Sequence, residues 1–308
     1  ALALVRAHMK RTKGLPLQGD GSLRQKVLAA LSFKLTNSQN FTLGEIDADL
    51  AADHRMLRLL QGDVGSGKTV VALMAMLSAV EAGGQAVMMA PTEILARQHL
   101  ATISQMTAAA DLQPLLLTGR ERGKKREEIL DKLKSGAARL AIGTHALFTD
   151  DVDYKDLRVA VIDEQHRFGV HQRLTLASKG QAVDVLVMTA TPIPRTLMLT
   201  AYGDMDVSRL TEKPAGRKPV QTVLISQERL DEVIAAVRRA IGSGARVYWV
   251  CPVIEEQETS DLAAAEARYD HLHSIFGDRA GLVHGRLKGT EKDAVMAAFK
   301  DGDIDILV

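Results

Sequence analysis

Six short apolar runs, each of strand length, recur along the first two thirds of the chain: MLRLLQ (56–61), QAVMMAP (85–91), PLLLTG (114–119), RLAIGTH (139–145), RVAVIDEQH (158–166) and DVLVMTATP (184–192). Stretches with helical apolar spacing lie between them, VVALMAMLSAVEAG after the first run and EILARQHLATISQM after the second. A strand buried on both faces reads as a nearly continuous apolar run. Strands of that kind alternating with helices predict an α/β fold with a parallel sheet covered on both sides. The polar, motif-like residues fall just after the strands, at the carboxyl edge where open parallel sheets bind ligands.

The same rhythm restarts further on, through TVLIS (222–226), a helix over 228–242, RVYWVCPVI (246–254), a helix over 261–276, AGLVHG (280–285), a helix over 290–300 and DIDILV (303–308). Between the halves, residues 204–221 (DMDVSRLTEKPAGRKPVQ) hold two prolines and a glycine among charges, which predicts an interdomain linker. The expected organisation is a helical lead-in over 1–32, a first lobe over 33–208 and a second, incomplete lobe over 209–308. A length of 308 residues suits two domains. In the lead-in, Arg6, Lys10, Arg11 and Lys13 alternate with Leu2, Leu4, Val5 and Met9, a solvated helix face in preference to a basic connector near DNA.

Composition excludes several classes. The formal charge of +1 points to no polyanion by itself, so any such site must come from local clusters. A single cysteine, Cys251, rules out an intrachain disulfide and cysteine-built metal clusters. No apolar run is long enough to span a membrane. The opening ALALVRAHMKRTK carries its charges after the apolar residues, the reverse of a secretory signal. Because the chain starts at Ala1 without Met and stops at Val308 inside an apolar run, both ends are expected to be cut from a longer protein.

The first strand runs into QGDVGSGKTVVALM (61–74), which contains Gly62-x4-Gly67-Lys68-Thr69 between a strand and a helix. Glycines at such a turn let backbone N–H groups converge on phosphates, and the helix adds its positive N-terminus. The expected triphosphate contacts are Gly62, Asp63, Gly65, Ser66, Gly67, Lys68 and Thr69, with Lys68 on the outer phosphates and the Thr69 hydroxyl on Mg²⁺. Downstream, VAVIDEQH ends a strand in two acids; Asp163 suits the Mg²⁺ water shell and Glu164 the polarisation of an attacking water. The two motifs together predict a nucleoside triphosphatase.

Asp163-Glu164-Gln165-His166 resembles the helicase-type acidic motif of superfamily two, with Gln165 and His166 included in the catalytic set. That resemblance implies further motifs, each found in its place. FKLTNSQ (33–39) resembles the adenine-reading element, with Gln39 on the base and Phe33 nearby; a glutamine amide both donates and accepts. APTEILARQH (90–99) and IGTHALF (142–148) resemble the elements that touch DNA phosphates, with Thr92, Arg97, Thr144 and His145 as the candidates. Thr189-Ala190-Thr191 resembles the element that couples the γ-phosphate to lobe movement. VYWVCPVIEEQE (247–258) and LVHGRL (282–287) stand where second-lobe motifs belong, adding His284 and Arg286 to the DNA-binding set.

Longer spellings narrow the resemblance. DEQHRFGVHQR (163–173), TATPIPRTLMLTAYGDMDVS (189–208), CPVIEEQE (251–258), GDGSLRQKVLAALSFKLTNSQ (19–39) and LTGRERGKKREEILDKLKSG (117–136) resemble the RecG family of bacterial branch-migrating DNA helicases, over essentially the whole chain. The transcription-repair coupling translocase motor is the alternative, but it usually reads Asp-Glu-Glu-His at 163–166 and Glu at Val70. The RecG resemblance implies two RecA-like lobes enclosing ATP and Mg²⁺, and branched DNA (forks and Holliday junctions) as partner. It also implies branch migration and fork reversal in recombination and repair, a monomer in the bacterial cytoplasm, and a single-stranded DNA-binding protein as a further partner. It implies as well a wedge domain before residue 1, and a coupling motif and an arginine-bearing motif after Val308. Without them the chain alone is expected to bind ATP but not to hydrolyse it efficiently or move DNA. Outside this class stand a nucleotide switch or small-molecule kinase, which has no need of two lobes or a Thr-Ala-Thr element, and a non-hydrolysing ATP-binding module.

Other residues carry blander expectations. His145 and His166 have no third metal ligand at suitable spacing. RERGKKR (120–126) is a solvated loop or a phosphate-facing one. Tyr248 and Trp249 are expected in a core rather than as base-stacking platforms, and Cys251 is expected to be buried and inert.

Overall fold

The structure, a computed structural model, describes residues 13–163, 179–180, 182–191, 205–212, 220–251 and 258–308. The chain forms two units, Ala1–Lys218 and Pro219–Val308.

In the first unit the described residues form seven strands: β1 (Leu57–Gly62), β2 (Gln85–Met89), β3 (Leu115–Leu117), β4 (Leu140–Gly143), β5 (Leu157–Asp163), β6 (Asp184–Thr189) and β7 (Asp206–Leu210). They make one sheet in the order β3-β4-β2-β5-β6-β1-β7. Every pairing in it is parallel. Side chains alternate across a strand, and here the alternation feeds two cores. Leu60, Met88, Ile142, Val161 and Leu186 belong to one apolar cluster. Their neighbours Leu59, Val87, Ala141, Ile162 and Val187 belong to the other.

Helices cover both faces. On the first lie α1 (Ser22–Ala30), α2 (Asn37–Leu50), α3 (Lys68–Glu81) and α4 (Glu93–Thr107), through Val27, Ile46, Leu73 and Ile103. On the second lies α5 (Gly123–Ser135), through Ile129 and Leu133. Helix α3 is apolar all round, and every residue from Val70 to Val80 is buried, as expected of a helix enclosed by others. The α2 N-terminus is a capping box in which Thr36 and Gln39 each satisfy the other's backbone N–H. Arg24 joins α1 to the body through a two-point ion pair with Asp47 and a bond to the Ser78 hydroxyl. The described part of the lead-in is thus helical only over α1, and it is packed on the first unit.

The linker expected over 204–221 needs correction. Residues 206–210 are strand β7, paired with β1 from Arg58↔Asp206 to Gly62↔Leu210, and the division between units falls at Lys218/Pro219 instead of 208/209. Buried Arg58 explains why this charged stretch joins the sheet: it bonds the Ser208 hydroxyl at 2.8 Å and pairs with Asp49 at 2.8 Å.

In the second unit a parallel sheet runs β8 (Val247–Tyr248), β10 (Ile306–Leu307), β9 (Ala280–Gly281). Helices α6 (Leu230–Gly242), α7 (Glu258–Phe276) and α8 (Gly289–Asp301) accompany it. Ile234, Ile241, Leu272 and Ile306 form its core. The strand predicted at TVLIS is not formed: residues 222–226 are irregular and Leu224 is fully exposed. Apolar pattern alone does not make a strand; its N–H and C=O groups need a ladder, and no described strand offers one here. Trp249 packs against the core, with the Arg268 guanidinium 5.5 Å from its ring centre. Tyr248, on the opposite side of the strand, is exposed, its ring 4.8 Å from that of Phe299. The core expectation therefore holds for Trp249 and fails for Tyr248. Cys251 is a free thiol, half-buried where full burial was expected.

Candidate nucleotide site and nucleic-acid edge

The strand order divides the carboxyl edge of the first sheet. Strands β1, β6 and β5 are neighbours and bring together the phosphate loop, Thr189–Thr191 and Asp163. Strands β2, β4 and β3 are neighbours on the other side and bring together Thr92 with Arg97, Thr144 with His145, and the loop after Leu117.

The phosphate loop is shaped by its glycines. Gly65 and Gly67 have φ of 76° and 84°, the left-handed region that glycine adopts without strain. A Cβ built on Gly67 would lie 2.2 Å from Gln39 Nε2, so a side chain there would push the Gln39 amide from its place. Helix α3 starts at Lys68 with no side-chain cap, leaving its first N–H groups to the loop. Lys68 Nζ lies over the loop, donating to Gly62 O at 2.6 Å and Asp63 O at 3.0 Å. The Ser66 hydroxyl is buried and makes no hydrogen bond among the described residues, and Thr69 is half-buried at the start of α3.

Gln39 is placed behind the loop. It is 2 % exposed, its Oε1 accepts from Thr36 N–H at 2.9 Å, and its Nε2 donates to Ser66 O at 2.8 Å. The structure thus joins Gln39 to the phosphate loop itself, while Phe33 is partly exposed nearby in sequence. At the end of β6, Thr191 N–H donates to Thr189 Oγ1 at 3.1 Å, and Gln61 Nε2 reaches Thr191 O at 3.3 Å, tying the element to the end of β1. Asp163 closes β5 opposite Met188, and its Oδ2 lies 2.7 Å from His99 Nε2. Glu164, Gln165 and His166 lie outside the described residues, as do residues 192–204.

On the other half of the edge, Thr92 caps α4 by accepting from Leu95 N–H at 3.3 Å. Arg97 faces out and bonds Glu93 at 2.9 Å, and Glu93 also pairs with Arg120 at 2.8 Å. Of the RERGKKR stretch, Arg120 therefore joins the edge, whereas Arg126 turns away to pair with Asp151 at 2.8 Å. Buried Glu121 accepts from both the N–H and the hydroxyl of Thr118, each at 2.7 Å. Burial would raise its pKa, but those bonds win and the carboxyl is held below the ordinary range. Thr144 is buried, its N–H on Leu117 O at 3.2 Å, and His145 beside it is exposed. In the second unit, His284 and Arg286 sit in the turn after β9, where His284 Nδ1 accepts from Arg286 N–H at 3.3 Å. Among the described residues no group of three or more His, Cys, Asp or Glu could hold a metal ion as a cluster, and no helix is long and apolar enough to cross a membrane.

Sequence reasoning did not single out His99 or Glu93, and it took Arg120 and Glu121 only as part of the basic run 120–126. A signal existed for His99: it lies three residues after Ala96 and four before Ile103, both fully buried, on the inward stripe of an amphipathic helix.

A phosphate loop closing one parallel strand, an acid closing another, and a single strand between them make this a P-loop α/β unit of the RecA-like helicase type. The family model for the DEAD/DEAH box helicases matches residues 46–200, and the chain belongs to that family. It is similar along its whole length to the protein named ATP-dependent DNA helicase RecG of Haemophilus influenzae, at 45% identity over 314 residues. The protein of the same name from Escherichia coli K12 is 46% identical over 314 residues. The chain spans about half the length of these curated relatives, 45% of each. A solved structure of RecG bound to a three-way DNA junction matches the whole chain with 41% identity and a TM-score of 0.80, the chain covering 40% of it. The RecG resemblance drawn from the sequence and the RecA-like fold class are both borne out.

Proposed function

We propose that this chain carries the motor portion of an ATP-dependent DNA helicase that acts on branched DNA. The observation that carries the proposal is the division of one sheet edge into a phosphate-loop half and a half lined by Thr92, Arg97, Thr144 and His145. The relatives named ATP-dependent DNA helicase RecG, and the RecG bound to a three-way junction, support the same reading.

The loop suits a nucleoside triphosphate. It has two left-handed glycines, an uncapped helix N-terminus, a buried hydroxyl on Ser66 without a partner, and an ammonium on Lys68. Gly62, Asp63, Gly65, Ser66, Gly67, Lys68 and Thr69 would hold the phosphates, Thr69 and Asp163 the magnesium, and Phe33 the base. Gln39 would act on the base or through the loop it anchors. Magnesium bound there would supply charge neutralisation to phosphoryl transfer. Glu164, Gln165 and His166 complete the proposed catalytic set, and Thr189 and Thr191 the coupling element. Thr92, Arg97, Thr144, His145, His284 and Arg286 would contact phosphates, so recognition would be mostly independent of base sequence. The first unit, as far as Lys218, is proposed as the first lobe with residues 1–32 as its connector, and the second unit as the start of the second lobe. Branch migration and fork reversal, a bacterial cytoplasmic monomer, and contact with a single-stranded DNA-binding protein belong to the same proposal.

The test is ATP turnover by the complete protein with and without a model fork. Fork DNA should stimulate turnover, and Lys68→Ala should reduce the stimulated rate by about 10²-fold or more, the scale of losing one charge-stabilising donor, with fork binding retained. Turnover indifferent to DNA would sink the proposal.

A further inference from the structure

The division of the sheet edge has a seam between β2 and β5, which pair from Ala86↔Val159 to Met89↔Ile162. Among the described residues, the His99 side chain crosses it. His99 belongs to α4, the helix that Thr92 caps and that carries Arg97, yet its Nε2 lies 2.7 Å from Oδ2 of Asp163 at the end of β5. Both side chains are 13% exposed. A carboxylate only accepts, so the ring nitrogen facing it donates.

The helix makes this contact geometric rather than incidental. His99 stands about two turns after Thr92, next to the fully buried Ala96 and Ile103, while Glu93 and Arg97 pair on the outer surface. A shift of the Thr92–Arg97 end must therefore move the imidazole. With Oδ2 engaged, the orientation of the Asp163 carboxyl is set by α4. Outer partners of metal-binding carboxylates orient them in this way.

We propose that His99 is the positioning residue that links the DNA-facing helix to the magnesium carboxylate, so that occupancy of either half of the edge changes affinity at the other. Such coupling is reciprocal by linkage. The proposal rests on the ATP-driven DNA motor reading of this site.

The test uses the complete protein in wild-type, His99→Leu and His99→Gln forms. Two quantities are measured without turnover. One is affinity for a fluorescent ADP with Mg²⁺ and with EDTA; the other is affinity for a model fork with and without Mg²⁺ and a non-hydrolysable ATP analogue. His99→Leu should weaken the Mg²⁺-dependent nucleotide affinity by about 10- to 100-fold and leave the EDTA value unchanged. It should bring the ratio of the two fork affinities to near one, with nucleotide-free fork affinity held within about twofold. His99→Gln, which keeps a donor, should recover most of the wild-type ratio. A wild-type ratio in His99→Leu overturns the proposal. So does parallel loss of EDTA nucleotide binding and nucleotide-free fork binding, the mark of a merely structural role, or no recovery with glutamine. If the wild-type protein itself shows no Mg²⁺-dependent nucleotide binding, the motor reading fails first and takes the proposal with it.

Discussion

Asp184→Asn should stabilise the first unit, and by more at alkaline than at acid pH. Asp184 opens β6 at the edge of the sheet remote from the phosphate loop; it is 3% exposed, and its Oδ1 accepts from Met56 N–H at 2.6 Å. Burial pushes its carboxyl from 3.8 up to about 7, although the Met56 bond and the charges of Arg158 and Arg55 oppose the rise. At about 1.36 kcal/mol per pH unit, holding this group ionised in the native state costs about 4 kcal/mol relative to the unfolded chain. The sign follows from proton counts. Between pH 4 and 7 the folded state binds more protons than the unfolded one, so stability falls as pH rises through that window and is level above it. Asparagine keeps the acceptor for Met56 and removes the titration. Its advantage over wild type should grow by about 2–3 kcal/mol between pH 5 and pH 8. Urea unfolding followed by far-UV circular dichroism at each pH measures it. The only tryptophan, Trp249, lies in the second unit, so its fluorescence transition serves as a control that should not shift. A stability difference independent of pH, or one larger at pH 5, refutes the reasoning.

Gly67→Ala would place a methyl group 2.2 Å from Gln39 Nε2 at a φ of 84°. It should cut affinity for an ATP analogue by at least about tenfold and lower stability by more than Gly83→Ala, which meets nothing within 4 Å and should lose only the left-handed term of about 1–2 kcal/mol. Arg58→Met strands Asp49 and the Ser208–Glu45 pair in a largely buried site, and should cost about 3–5 kcal/mol in denaturant unfolding. Glu121→Ala leaves the Thr118 N–H and hydroxyl without their acceptor and should cost about 1–3 kcal/mol at pH 7. Because the Glu121 pKa is held down, that contribution is present above the ordinary 4.5 and fades as pH falls below it, so the variant and wild type should converge in acid.

Six of the seven strands of the first sheet were legible because each is apolar on both sides, a pattern only a covered strand needs. β7 was not, since DVSRL is held by Arg58 reaching across to Ser208 and Asp49, a partnership between residues distant in sequence. TVLIS erred the other way: its pattern is strand-like, but a ladder partner is a property of the fold. The places of Lys68 and Thr69 at the start of the helix after β1, and of Asp163 at the end of β5, were legible because apolar strand runs lead into them. Gln39 was readable as important but not in its placement, because the partner it takes, Ser66 O, is a backbone group that no motif spells. Glu93 and Arg120 join only once β3 and β2 are seen to flank β4.

The order of motifs along the chain carries more topology than their composition does. After β1 the chain passes to β2 three places away, and β5 and β6 fill the two places between. The residues beside the phosphate loop must therefore arrive late, as Asp163 and Thr189, while Thr92, Thr118 and Thr144 arrive in between and fall on the far side. A sheet wound in that order puts β5 on the boundary, with the loop's strands on one flank and β2 on the other. Asp163 is then the acid of the phosphate-loop half that a side chain from the β2 helix can reach, and His99 is the residue of α4 that reaches it. The same winding that assembles the phosphate-loop half thus exposes one of its carboxylates to the neighbouring half, and the proposed coupling between the halves runs through that contact.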